Sequence, residues 1–189
     1  MPLSQLDNQA ALVVIDLQKG IVALPTVHPA ADVVAKSASI ARAFRAKNHP
    51  VVLVNVVEAA PGRTDAPKHP FPTDPSFAEL VPQLEAATSD MRVSKKRWGA
   101  FQTTDLDAQL RAKGIKQIVL VGIATSIGIE STARYASELG YDVVLVTDAM
   151  TDLNAAAHEN SVKTIFPRIG ETVTTDELLK VLGSVQLSA

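Results

Sequence analysis

The sequence predicts an α/β protein built on a parallel sheet. Three observations carry that expectation. Short, β-branched apolar runs recur along the chain, helix-patterned stretches separate them, and several of those stretches stop at glycine. Runs that are apolar on both faces suit strands buried between two helical layers. Strand–helix alternation at this rhythm makes βαβ units with right-handed crossovers.

Ala11 to Ile15 is the first strand, and Asp16 closes it. Ala30 to Lys47 has helical spacing, with Pro29 where a first turn begins. Val51 to Val57 is a second strand, interrupted by Asn55. Glu58 to Asp74 then breaks the rhythm with Pro61, Gly62, Pro67, Pro70 and Pro72. It is too long for an ordinary connector, so it is either a substrate loop or a plain surface excursion. Met91 to Ser94 reads as extended. Leu106 to Lys113 is helical and stops at Gly114; Ile118 to Val121 is a strand leading into Gly122. Ile127 to Leu139 is helical and stops at Gly140, and Val143 to Val146 is a strand ending in Thr147 and Asp148. Ala155 to Ile165 is helical, and Glu171 to Thr174 is a last short strand. With no repeat and no linker, residues 1–189 read as one domain.

Composition narrows the function. The 189 residues are 47% hydrophobic and 20% charged, with 18 basic against 20 acidic side chains and a net charge of -2. That balance argues against a nucleic-acid partner. There is no cysteine, which removes disulfides, thiolate metal sites and thiol nucleophiles. No basic leader precedes an apolar run, and no stretch of about 18 apolar residues exists, so a cytoplasmic chain with no membrane partner is expected. The histidines at 28, 49, 69 and 158 do not pair at metal-ligand spacing, so no metal is expected. Neither a Gly-Lys-Ser/Thr phosphate loop nor a Gly-x-Gly-x-x-Gly turn is present, and no cofactor is expected.

In an open parallel sheet, ligands bind beyond the carboxyl ends of the strands. That rule selects Asp16, the pair Lys95 and Lys96, the segment Ala124 to Gly128, and Asp148. A carboxylate at the rim of a dry core is costly unless paired, so Asp16 is either a pocket acid or base, or a loop-capping group. Adjacent lysines in an extended segment face opposite ways, so at most one of the two turns inward. The Ala124–Gly128 turn opens a helix whose free amides suit an oxyanion, although its glycines are also explained by tight turning. Ala124-Thr125-Ser126-Ile127-Gly128 is one residue short of a Gly-x-Ser-x-Gly elbow, with Asp148 and His158 following in order; a Ser126 hydrolase is therefore one alternative. Trp98, Phe71 and Phe77 stand near the expected site, with pocket lining, a subunit interface and core packing all open to them.

Four blocks taken in order resemble the isochorismatase-like hydrolases: Ala11 to Gln18, Lys95 to Phe101, Gly122 to Arg134, and Gly140 to Ala149. The resemblance implies a three-layer αβα fold with a six-stranded parallel sheet of Rossmann-like form. It implies Asp16 as the proton-handling group, Lys95 rather than Lys96 as the site lysine, a cis peptide between Ala124 and Thr125, and the Thr125–Gly128 amides as an anion cradle. It places Gly128 where most of the family carries a nucleophilic cysteine. Family members with glycine there hydrolyse a vinyl ether and release pyruvate, without a covalent intermediate. The resemblance therefore implies a hydrolase acting on a small anionic vinyl ether such as isochorismate. Gln18, two residues after Asp16 and so on the same face of an extended chain, joins Arg63, Arg97, Trp98, Ala124, Thr125 and Ser126 as an expected substrate contact. A homo-oligomer, dimer or tetramer, is expected by analogy. The rival readings are a catalytically silent small-molecule binder, and an amide hydrolase using water or Ser126.

Overall fold

Every residue of β1 (Ala10–Ile15) is buried. Its alternate side chains enter two separate cores. In the computed structural model, which describes residues 3, 6–65 and 70–184, Leu12 and Val14 pack with Leu53, Val119 and Val121 on one side of the sheet. Val13 and Ile15 pack with Val52, Val54, Ile118 and Leu120 on the other. Burial on both faces is why these strands read as continuous apolar runs.

The sheet has six strands in the order β3-β2-β1-β4-β5-β6, and every pairing is parallel. Besides β1 they are β2 (Val51–Val56), β3 (Met91–Lys95), β4 (Gln117–Ile123), β5 (Asp142–Thr151) and β6 (Glu171–Val173). A short α1 (Lys19–Val22) follows β1. The helices α2 (Ala30–Ala46) and α6 (Thr175–Ser184) cover the Leu12 face through Ile40, Phe44, Leu178 and Leu182. The helices α3 (Leu106–Ala112) and α4 (Glu130–Glu138) cover the Val13 face through Leu106, Leu110, Ala133 and Ala136. The remaining helix, α5 (Ala155–Asn160), follows β5. This is the three-layer fold that the sequence predicts.

Some boundaries differ from the sequence reading. Asp148 does not end the fifth strand. A register shift opposite β4, between Leu120 and Gly122, carries β5 on to Thr151. Asp148 instead caps α6, accepting the Thr175 amide at 2.7 Å and hydroxyl at 2.9 Å, and pairs with Lys36 at 2.8 Å. The expected helix from Ile127 begins as a π turn over Thr125–Ile129, and the one from Ala155 ends as a π turn over Ser161–Ile165. The sequence reading stops at Thr174, and α6 is an addition to it; a capping box opens the helix, with Glu177 accepting the Thr174 amide at 2.8 Å and the Glu177 amide donating to the Thr174 hydroxyl at 3.3 Å.

The strand order reverses between β1 and β4, since β2 and β3 lie to one side and β5 and β6 to the other. A crevice forms beyond the carboxyl ends at such a switch point. Asp16 follows β1 and Ala124 follows β4, so both stand at that crevice.

Candidate active site

Segments that follow the first five strands converge on a cavity of about 310 Å³ at the switch point. Asp16, Lys95 and Gly128 meet there. So do Arg97, Trp98 and Ala124, which the sequence nominated as contacts. Asp16 is 5% exposed and Lys95 2%. The Lys95 ammonium donates to Asp16 Oδ2 at 2.7 Å and to the Arg97 carbonyl at 3.2 Å. Lys95 is the last residue of β3 and turns inward, while Lys96 is exposed and pairs with Glu58 at 3.0 Å. Alternation along an extended chain therefore separates the two lysines.

Burial pushes the Asp16 carboxyl up to about 6, against the opposing pull of the Lys95 ammonium. Its second oxygen, Oδ1, is buried with no hydrogen-bond partner among the described residues. Gly128 lines the same cavity, packed closely beside the pair. A Cβ at that position would lie 3.4 Å from Asp16 Oδ2 and 2.9 Å from Ile15 Cγ2. The walls are apolar: Ile21, Val56, Ile123 and Ile127 lie around the floor, and Leu24, Phe71 and Leu153 also line the cavity.

Four nominated residues lie elsewhere. Gln18 was expected to share a face with Asp16. Asp16 has φ +52°, which breaks the strand alternation before Gln18. Gln18 is fully buried and works as a clamp: its amide nitrogen donates to the carbonyls of Val56 (3.0 Å) and Phe77 (3.1 Å), and its oxygen accepts the Val56 amide (2.8 Å). Gln18→Leu would strip all three partners at once. A loss of about 2–4 kcal/mol in denaturant unfolding is expected, since unsatisfied buried groups cost more than a bond returns. Arg63 is exposed on the outer run of its loop and does not line the cavity. Of that loop, residues 66–69 lie outside the described residues, and His69 with them.

Thr125 and Ser126 also point away from the cavity. The Thr125 hydroxyl is 2.8 Å from His158 Nδ1, and the Ser126 amide and hydroxyl both donate to Asp152 Oδ2, at 2.7 and 2.8 Å. A protein carboxylate thus occupies one arm of the expected anion cradle. The Ile127 amide is engaged as well, donating to the Ala124 carbonyl at 3.2 Å. Nor do Ser126, Asp148 and His158 form a relay, because Asp148 is committed to Thr175 and Lys36. The cis peptide lies between Ile123 and Ala124, one bond earlier than expected. Asp152 and His158 were missed as supports of this turn. Asp152 Oδ1 also accepts the Asn154 amide at 3.1 Å, a local Asx pattern readable in Asp-x-Asn.

Comparison with known proteins agrees with this fold. The isochorismatase domain family matches residues 10–177. The uncharacterized isochorismatase family protein YwoC of Bacillus subtilis (strain 168) is 44% identical over 182 residues, covering 92% of this chain and 94% of that protein. The structure of an isochorismatase family protein from Burkholderia thailandensis superposes with a TM-score of 0.92 at 43% identity, covering 97% of this chain and 99% of the other. A shorter match reaches the ureidoacrylate amidohydrolase RutB of Variovorax paradoxus, 36% identical over 103 residues, which are 54% of this chain and 41% of that enzyme. Domain match, near-full-length identity and superposed fold lead to one statement: this chain belongs to the isochorismatase family of hydrolases.

Proposed function

We propose that this protein hydrolyses a small anionic vinyl ether by acid–base chemistry, with no covalent intermediate. The observation that carries this reading is the buried Asp16–Lys95 pair in a cavity that position 128 lines without a side chain. The family resemblance puts the nucleophilic cysteine at that position, and the whole chain contains no cysteine.

Asp16 supplies the proton. With its carboxyl near 6, about a tenth of it is protonated at pH 7, which is close to the optimum for a group that must both give and take. The proton goes to the terminal vinyl carbon, leaving an oxocarbenium ion beside the new carboxylate. That carboxylate stabilises the cation and takes a proton from the attacking water. The hemiketal then collapses to a ketone and an alcohol, and Asp16 ends the cycle protonated. Lys95 keeps the carboxyl from rising further and holds it in one orientation.

A second reading, direct attack of water on an amide, is favoured by the similarity to an amidohydrolase. The test supplies two vinyl ethers that release pyruvate, isochorismate and 2-phenoxyacrylate, beside a panel of small amides including ureidoacrylate. Pyruvate release with no adduct on the intact protein by mass spectrometry is expected. Amide cleavage alone would move the assignment to the second reading. Silence in both channels, or a covalent adduct, would overturn the proposal and leave a silent binder or a different nucleophile.

A further inference from the structure

The charges around the cavity are not equally available. Asp16 is paired with Lys95, and Glu58 at the cavity edge is paired with Lys96. The guanidinium of Arg97 faces no carboxylate among the described residues; its Nη1 donates to a peptide oxygen, that of Lys96, at 2.6 Å. One cation in the cavity therefore lacks an anionic partner. A carboxylate suits it, because a guanidinium presents a planar fork of donors.

The apolar surface points the same way. Five large hydrophobic side chains are conspicuously exposed among the described residues, and three of them, Leu24, Trp98 and Leu153, line this one cavity. Trp98 is 57% exposed. Exposed apolar surface concentrated at a cavity marks where an apolar partner sits. Among the described residues the other cavity cation, Lys95, is already paired with Asp16, so a second carboxylate on the ligand finds no further free cation there, and a buried carboxylate without a partner is expensive.

We infer that the ligand of this site is a monocarboxylate with an apolar, ring-sized body, its carboxylate on Arg97 and its body against Trp98 and Leu153. This rests on the hydrolase reading for the chemistry, but not for the binding. The inference ranks 2-phenoxyacrylate above the dianion isochorismate.

Trp98 is the sole tryptophan, so its fluorescence reports the cavity directly. The probes are phenylacetate, its neutral counterpart 2-phenylethanol, and the dicarboxylate homophthalate, titrated at pH 8. Phenylacetate is expected to shift Trp98 emission with a Kd at least about tenfold below those of the other two, the size of one charge-assisted hydrogen-bond pair. Arg97→Gln should erase that advantage. The fold should survive it, because Lys95 bonds the backbone carbonyl of Arg97 and not its side chain. Equal or tighter binding of homophthalate, an unchanged phenylacetate Kd in Arg97→Gln, or no phenylacetate binding would each overturn the inference. So would Trp98 emission that depends on protein concentration without ligand, which would assign the apolar mouth to a second copy. The expected binding pattern in a protein that cleaves neither vinyl ethers nor amides would sink the hydrolase reading alone. Efficient turnover of isochorismate with weak phenylacetate binding would sink this inference alone.

Discussion

Asp16→Asn is expected to lower kcat/KM by about 10²–10⁴-fold, the range that a positioned proton donor contributes. The substitution keeps the shape of the side chain. Its amide oxygen still accepts from Lys95, so the loss would report chemistry and not collapse. A variant within a few-fold of the parent would remove Asp16 from the proton-transfer role. The wild-type pH profile makes the same point. If the acid form is the working form, kcat/KM falls as pH rises through about 6. Lys95→Met takes away the charge that holds the carboxyl down, and the falling limb should move to higher pH. A limb that stays in place would show that Lys95 does not tune Asp16. The stability linkage has a definite sign. The folded carboxyl sits above its ordinary 3.8, so its contribution to stability is full below that value and is lost as pH rises through about 6.

Gly122→Ala should be the most damaging single substitution for the fold. Gly122 has φ +127°, and a Cβ there would lie 2.0 Å from the Ile15 carbonyl oxygen and 2.8 Å from the Ile15 nitrogen. Those are backbone atoms of the neighbouring strand, so no side-chain rotation relieves the overlap. Ile15 and Gly122 are register partners at the last rung of the β1–β4 ladder. Forcing them apart would displace Asp16 and Ala124 together. A loss of more than about 3 kcal/mol, or failure to accumulate as folded protein, is expected, because strained backbone and overpacking act at one point. Thermal unfolding of the purified variant checks it. A melting temperature within a few degrees of the parent would mean that the ladder end yields at low cost.

The sheet was legible because its strands are buried on both faces and leave continuous apolar runs such as Ala11 to Ile15. Asp16 was legible for a related reason: a charge that ends an apolar run must be satisfied by something; Lys95 follows no such run, and alternation said only that at most one of the two lysines turns inward, while the family resemblance named which. Gln18 was misplaced because period-two reasoning assumes that the strand geometry continues, and Asp16 interrupts it with a left-handed residue. Asp148 was misplaced because the β5 register shift is a property of two paired strands and leaves no mark on one. Arg63 was nominated by its charge alone, and nothing in its loop fixed the direction of that side chain. The link from Ser126 to Asp152 spans 26 residues, and from Thr125 to His158 spans 33. Such pairings depend on how β4 and β5 come together, which local pattern does not encode.

The Asp16–Lys95 contact has one more implication. It joins the ends of β1 and β3, two strands that do not touch each other because β2 lies between them. β3 is also the outermost strand of the sheet. The charge that pulls the Asp16 carboxyl down, against burial, is thus supplied from the margin of the sheet. Edge strands open at lower free energy than central ones. Each transient detachment of β3 would withdraw the ammonium and leave Asp16 a weaker acid, while the rest of the sheet stayed intact. On the proposed reading, the strength of the proton donor would track the fraying of the sheet's own border.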